Sequence, residues 1–236
     1  QTAKVYTDLG LFTCRPEIAD DVIELFHSLT GRSIKYDYEQ LLVAPVNMKE
    51  KFLAMIEAEQ RAHVTGKPAH IIAKMNQIQD PAICEALYRA SQAGVNIDLI
   101  IRGFSILRPG VPELSPTIRV ISVVGRFLEH SRIFYFRNGA EDPVNGLFFI
   151  GSADWMVRNL ESRVEAITPV ESRPFRERLW EILQLSLSDQ RQAWDMHPDG
   201  SYVQRSPGKD PEDPANLGVQ QILMERTRQR NESNPI

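Results

Sequence analysis

The sequence has few cysteines and no long apolar run, and both absences exclude a class of protein. Cys14 and Cys84 are the only cysteines, and they have neither the density of a secreted disulfide scaffold nor the spacing of a metal site. No stretch approaches the roughly 20 apolar residues that a membrane-spanning helix requires, and no basic and then apolar leader opens the chain. We therefore expect a cytoplasmic protein with reduced thiols.

An excess of basic residues is also missing. The net charge is -4, which argues against nucleic acid as a partner, because proteins that bind it usually carry surplus Lys and Arg. With 236 residues, of which 42% are hydrophobic and 25% charged, the chain can form one sizeable core with appendages. The sequence begins at Gln1 and enters a strand-like pattern almost at once, so we expect another segment to precede it in a longer protein.

Strand and helix patterns alternate between residues 40 and 103. Apolar strand-like runs at residues 41–44, 70–75 and 97–101 are separated by two amphipathic helical patterns. This alternation predicts an α/β fold with a largely parallel sheet flanked by helices. Later β-rich runs lie at residues 118–124, 133–136, 147–150 and 164–169. The second and third of these runs flank a turn-rich stretch, which predicts a hairpin.

His130 and Arg132 are two residues apart, where a strand is predicted to begin. Strand alternation would put both side chains on one face. A guanidinium presents a planar fork of donors and an imidazole can exchange a proton near pH 7, so the pair suits a phosphate group. A single histidine near a strand end is more often structural, and the other four histidines are interpreted in that way.

Small residues and arginines strengthen the phosphate interpretation. Residues 151–154 end the strand that follows, and their small side chains would let an anion approach the backbone. Eight arginines and no lysine lie between Arg102 and Arg163. The site candidates are Arg102, Arg132, Arg158 and Arg163, whereas Arg108, Arg119, Arg126 and Arg137 are interpreted as solvated surface charge.

Four further polar residues have two readings. Lys74 and Asn76 end a predicted strand, where ligands often bind in α/β sheets, but a lysine at a strand end is commonly solvated. Tyr6 and Asp8 would ordinarily pass as strand and turn residues. The residue patterns alone leave the roles of all four open.

Six stretches of the sequence together carry a family resemblance. They read AKVYTDLG from residue 3, LVAPVN from 42, IAKMN from 72, LRPGVP from 107, VGRFLEHSR from 124 and GSADWM from 151. In these stretches the chain resembles the C-terminal region of bacterial polyphosphate kinases. The resemblance spans residues 3 to about 204.

The resemblance implies a fold and a division of the chain. The fold would be an α/β phospholipase D-like half, with a mixed, mostly parallel sheet flanked by helices. Residues 1–39 would be the tail of a preceding phospholipase D-like domain, residues 40–205 the C-terminal phospholipase D-like catalytic domain, and residues 206–236 a linker and terminal tail.

The resemblance also implies an activity. The enzyme would be an ATP:polyphosphate phosphotransferase, which transfers the γ-phosphoryl group of ATP reversibly to inorganic polyphosphate through a phosphohistidine outside this chain. Tyr6, Arg102 and His130 match positions that contact ATP, and Arg163 matches one that reaches the triphosphate. His130 would be the catalytic residue here, and the isolated chain is expected to be inactive.

Cofactor and partner expectations follow from the same resemblance. Mg²⁺ would be bound by the upstream half, so no metal ligand is expected in this chain. The expected partners are ATP and ADP, inorganic polyphosphate, the rest of the same polypeptide and further copies in a homo-oligomer. Nucleic acid is not expected, and peripheral association with the inner membrane stays open.

Two other functions remain as alternatives. The phospholipase D motif has Lys two residues after its His and Asp five further on, whereas this chain has Arg132 and Arg137 there. That departure weakens the case for a phosphodiesterase of the phospholipase D superfamily. The chain could also be a non-catalytic module that binds polyanions through its arginines.

Overall fold

The computed structural model describes residues 4–32, 37–210 and 213–233. Its helices are α1 (Pro16–Leu29), α2 (Met48–Val64), α3 (Pro81–Gln92), α4 (Val157–Glu161), α5 (Arg173–Ser188), α6 (Pro214–Leu217) and α7 (Val219–Ser233). Its strands are β1 (Tyr6–Thr7), β2 (Leu42–Ala44), β3 (His70–Met75), β4 (Asn96–Ile101), β5 (Ile118–Val123), β6 (Leu128–Glu129), β7 (Arg132–Phe136), β8 (Leu147–Gly151), β9 (Glu165–Pro169), β10 (Ala193–Met196) and β11 (Tyr202–Gln204). Within these residues, no helix combines the length and the apolar character needed to cross a membrane.

Nine strands form one mixed sheet in the order β11-β10-β5-β4-β3-β7-β8-β9-β2. Neighbours pair in parallel at β3–β4 and β4–β5, and the other six pairings are antiparallel. Six strands nevertheless run in one direction (β2, β3, β4, β5, β8 and β11) and three in the other (β7, β9 and β10). The predicted α/β class and the mixed sheet, mostly parallel in strand direction, are confirmed, as is the β7–β8 hairpin.

Helices cover both faces of the sheet, because the side chains of each central strand alternate between two cores. Ile71 packs with Phe52 of α2 and Leu87 of α3 on one face. Ile72 packs with Leu183 of α5 on the other face. Alternation puts Lys74, two residues after Ile72, on the α5 side of the sheet. A buried lysine of the central strand therefore points into the layer on the α5 side of the sheet.

The first residues of the chain are attached to the main sheet region at two places. Strand β1 pairs in parallel with β6, so that Tyr6 lies opposite Leu128 and Thr7 opposite Glu129. In α1, the carboxylate of Asp21 accepts hydrogen bonds from the backbone N–H groups of residues 39–41 at 2.8–3.2 Å. These contacts hold residues 6–8 beside the strand that leads to His130.

The described part of residues 206–236 is largely helical. The helix that the sequence predicts at residues 219–230 is present as α7, and the short helix α6 precedes it. Val219 and Ile222 are buried, and Val219 belongs to the same core as Leu183 of α5. Helix α7 therefore packs against the layer that covers the α5 face.

A glycine allows the close approach of β8 and β9. A Cβ atom at Gly151 would lie 2.3 Å from the carbonyl oxygen of Ala166 and 2.6 Å from Cγ1 of Ile167. We expect Gly151→Ala to lower the free energy of unfolding by about 1–3 kcal/mol, because β8 and β9 are both held in the sheet and cannot move apart to make room for the added methyl group. Chemical denaturation measures the change.

Gly10→Ala is the matched control, because a Cβ atom there would meet nothing within 4 Å. An equal change in both variants would contradict the steric explanation.

Candidate active site

The hairpin register brings the two predicted site segments together. Arg132, the first residue of β7, lies opposite Gly151, the last residue of β8. Asn76 follows directly after β3, which is next to β7 in the sheet, and Arg102 follows directly after β4, the next strand beyond β3. Side chains from three strand ends can therefore meet around the turn that follows Gly151.

The carboxylate of Asp154 connects the side chains at these strand ends. Its Oδ1 accepts hydrogen bonds from the backbone N–H of Asn76 at 2.9 Å and from Nε of Arg132 at 3.1 Å, and its Oδ2 accepts from Nδ2 of Asn76 at 3.3 Å. Asp154 is only 5% exposed. Burial of a carboxylate is costly unless it is paired and hydrogen-bonded, and here both conditions are met.

Asn76 extends the network to a second guanidinium. Its Oδ1 accepts from Nε of Arg102 at 3.1 Å and from Nη2 at 2.6 Å. Within residues 4–32, 37–210 and 213–233, Nη1 of Arg102 and Nη2 of Arg132 donate to no atom. Both guanidiniums are thus held in place and keep donors for an anion.

His130 lies between an acidic and a basic side chain. Its Nδ1 is 2.8 Å from Oδ2 of Asp8, and its Nε2 is 3.1 Å from Nη1 of Arg132. A carboxylate can only accept, so Nδ1 carries the proton and donates it to Asp8, which leaves Nε2 as the acceptor nitrogen. Tyr6 packs its ring edge to face against the imidazole, with 4.9 Å between centroids.

A buried lysine supports the segment on either side of His130. Nζ of Lys74 donates to Oγ of Ser131 at 2.9 Å and lies 3.1 Å from Oε2 of Glu129. Burial lowers the pKa of Lys74, and the charge of Glu129 opposes that shift. The two residues that flank His130 are thereby attached to the central strand β3.

A cleft of about 560 Å³ opens beside these groups, within the size range of small-molecule sites. Asp8, His130 and Arg132 line one part of it, and Ser152 lies at its edge. Apolar side chains from α1 and from the strands complete the wall, and these include Ile18, Val22, Leu25, Ile150 and Ile167.

Two predicted arginines lie outside the hydrogen-bonded network. The side chain of Arg163 is 55% exposed, and its Nη1 is 3.9 Å from Oε1 of Glu165. The other carboxylate oxygen of Glu165, Oε2, accepts a hydrogen bond from Ser152 at the cleft. Arg158 is exposed on α4, and its carbonyl oxygen accepts from the backbone N–H of Arg163. Tyr6, Arg102, His130 and Arg132 are therefore linked by contacts, whereas Arg158 and Arg163 stand apart.

Arg137 takes no part in the site. It follows the last residue of β7, at the opposite end of that strand from Arg132, and its guanidinium donates to the carbonyl oxygens of Ala140 and Glu141. The place where a phospholipase D motif has its aspartate is therefore remote from His130. The carboxylate beside Arg132 belongs instead to Asp154, in the turn that follows β8, the hairpin partner of β7.

Sequence reasoning left Asp8, Lys74, Asn76 and Asp154 without assigned roles. Polar residues at the end of an apolar strand are the signal that could have found Lys74, inside β3, and Asn76, directly after it, which are 2% and 7% exposed. Within the described ranges, no group of three or more His, Cys, Asp or Glu side chains converges to hold a metal ion.

Comparison with known proteins extends the match along nearly the whole chain. The family models "Polyphosphate kinase C-terminal domain 1" and "Polyphosphate kinase C-terminal domain 2" match residues 1–35 and 41–216. A polyphosphate kinase of Synechocystis sp. is 58% identical over 207 residues, which are 88% of this chain and 28% of that protein. One of Thermosynechococcus vestitus is 54% identical over 227 residues, which are 96% of this chain and 30% of that protein.

A solved structure agrees with these matches. The crystal structure of a polyphosphate kinase from Porphyromonas gingivalis superposes with a TM-score of 0.83 at 36% identity, over 92% of this chain and 33% of that one. The chain thus spans about 30% of the length of the curated relatives it matches. By sequence, fold and the groups around its cleft, the chain belongs to the polyphosphate kinase family and corresponds to the C-terminal domains of that family.

Proposed function

We propose that this chain forms the catalytic C-terminal region of a polyphosphate kinase, in which the γ-phosphoryl group of ATP is transferred reversibly to inorganic polyphosphate. The observation that carries the proposal is the pair of fixed guanidiniums, Arg102 and Arg132, linked through Asn76 and Asp154 beside His130. The transfer would pass through a phosphohistidine contributed from outside this chain. Covalent transfer of this kind divides one difficult step into two easier ones.

Arg102 and Arg132 would neutralise charge on the moving phosphoryl group. Phosphoryl transfer depends on positioning and electrostatic stabilisation more than on covalent chemistry by the protein. Because each guanidinium is already held by hydrogen bonds, little reorganisation is needed when the charge develops. Asp154 compensates one of the positive charges when no phosphate is bound.

His130 would supply an oriented imidazole beside Arg132, where both residues line the cleft. Asp8 fixes the proton on Nδ1, so Nε2 is the nitrogen that could take up a proton and then donate a hydrogen bond to a phosphate oxygen. Tyr6 would limit rotation of the ring by packing against its face.

Further groups would assist the transfer from outside the hydrogen-bonded network. Arg158, exposed on α4, and Arg163, just after that helix, would reach the phosphates from the surface. Mg²⁺ would accompany ATP and neutralise phosphate charge, with ligands from the upstream half of the longer protein. We further propose ATP, ADP and polyphosphate as ligands, a homo-oligomer, and a cytoplasmic location with peripheral membrane contact left to experiment.

Calorimetry of the isolated chain tests the binding part of the proposal. We expect ATP and polyphosphate to bind without turnover. A chimera in which this chain replaces the segment that it matches in the Synechocystis relative should make polyphosphate from ATP. Hydrolysis of a phosphodiester substrate, with no binding of either phosphate ligand, would favour the phosphodiesterase instead.

We expect Arg102→Ala and His130→Ala each to lower kcat of the chimera a few hundredfold, because loss of one positioned group typically costs ~3 kcal/mol of transition-state stabilisation. Steady-state kinetics measure the loss, and thermal unfolding checks that the fold remains. Arg61→Ala, on the exposed surface of α2, is the control and should keep the parental rate. Near-normal rates in both site variants would refute the assignment.

Asp154→Asn should lower kcat about 10-fold to 100-fold, because Arg132 loses its charged partner and a displacement of a site group by about 1 Å can cost a hundredfold. Asp142→Asn provides the matched control, since Asp142 pairs with Arg173 on the surface at 2.9 Å. Kinetics of both chimeras give the comparison. Equal rates would mean that the Asp154 ion pair serves the fold alone.

A further inference from the structure

Helix α7 contacts the segment before His130 through the side chain of Gln220. Oε1 of Gln220 accepts from the backbone N–H of Phe127 at 2.9 Å, and its Nε2 donates to the carbonyl oxygen of Phe127 at 2.9 Å. The same Nε2 donates to Oε1 of Glu129 at 2.9 Å. The amide thus imitates a strand neighbour for the backbone of Phe127.

The contacts continue from Gln220 to the site itself. Glu129 receives the Gln220 amide on one oxygen and Lys74 on the other at 3.1 Å, and Lys74 also donates to Ser131. His130 stands between Glu129 and Ser131 in the chain. The two neighbours of the proposed catalytic residue are therefore fixed by one continuous set of buried polar contacts.

Gln220 and the start of α7 are themselves held in place by burial and hydrogen bonds. Gln220 is 5% exposed, and α7 begins where the backbone N–H of Val219 donates to Oδ2 of Asp189 at 2.7 Å. Val219 and Ile222 bury their side chains on the α5 face. A side chain held in this way can transmit the position of α7 to residues 127–131. Helix α7 also lies beyond residue 216, where the match to the family model ends.

We propose that Gln220 is a positioning residue for the phosphoryl-transfer site, which it holds in place through Phe127 and Glu129. The inference rests on the proposed function for its effect on rate, but its effect on structure is independent of that function. By this proposal, α7, which lies outside the residues that the family models match, helps to position the active site.

The chemistry of the amide makes the inference specific. The side chain at position 220 must accept a hydrogen bond from the backbone N–H of Phe127 and donate one to Glu129 at the same time. A carboxylate has no donor and would put a like charge beside Glu129, so Gln220→Glu should disturb the segment more than its small change of volume suggests. Adding Glu129→Gln restores the contact between the two side chains, because the new amide can donate to the new carboxylate, but it does not restore the donor to the Phe127 carbonyl oxygen.

Kinetics of the chimera test the effect on rate. We expect Gln220→Glu to lower kcat about 10-fold to 100-fold while KM for ATP changes less than about threefold, because the reacting groups are displaced and most ligand contacts remain. Gln220→Glu combined with Glu129→Gln should recover at least part of the lost kcat. Gln221→Ala, on the exposed side of the same helix where Gln221 bonds to Glu225, should leave kcat unchanged.

Hydrogen exchange gives a readout that does not depend on activity. In the isolated chain, Gln220→Glu and Gln220→Ala should accelerate exchange of the Phe127, Leu128 and His130 amides, while the amides of β3 and β4 keep their protection. Leu128 and His130 are included because their N–H groups donate to Val5 and Thr7 across the small β1–β6 sheet. Gln221→Ala should leave all of these amides unchanged.

The outcomes separate the two proposals. Parental kcat in an active Gln220→Glu chimera, with unchanged exchange at Phe127, overturns the positioning role. Loss of rate without recovery in the double variant, and with exchange raised throughout β3 and β4, also overturns it, because that pattern is general unfolding. An inactive parental chimera refutes the proposed function, and exchange at residues 127–130 then decides the role of Gln220 by itself.

Discussion

The buried carboxylate of Asp154 is the interaction on which the arrangement of the site depends. It accepts from Arg132 and from both the backbone and the side chain of Asn76, and Asn76 in turn holds Arg102. Two guanidiniums close together would repel each other and stay mobile in water. With a desolvated anion and a neutral amide between them, they are held in fixed positions before any phosphate arrives.

Much of the scaffold could be predicted from periodicity. The buried strands β3 and β4 and the helices α2 and α3 that precede them follow from apolar patterns, and the β7–β8 hairpin follows from the turn-rich stretch between two apolar runs. That hairpin also implied that residues 130–132 and 151–154 are neighbours. The position of β2 could not be predicted in this way. It pairs with β9 at the far edge of the sheet, and a strand of three residues does not encode its partner.

The candidate site was predictable only in part. A phosphate-binding role for His130, Arg132 and Arg102 followed from their side-chain chemistry, and the family resemblance supported it. The roles of Asp8 and Asp154 did not follow, because Asp8 meets His130 across 122 positions and Asp154 meets Asn76 across 78. A polar residue after a strand has the same local sequence signature whether it is solvated or buried. Only tertiary packing distinguishes the two, as it does for Lys74.

The parallel pairing of β1 with β6 brings residues of the two matched family domains together at one site. His130 belongs to the stretch from 41 to 216, whereas Asp8, which sets its tautomer, belongs to the stretch from 1 to 35. The two stretches are recognisable as separate modules, but the group at His130 needs both, because one supplies the imidazole and the other supplies the carboxylate that orients it.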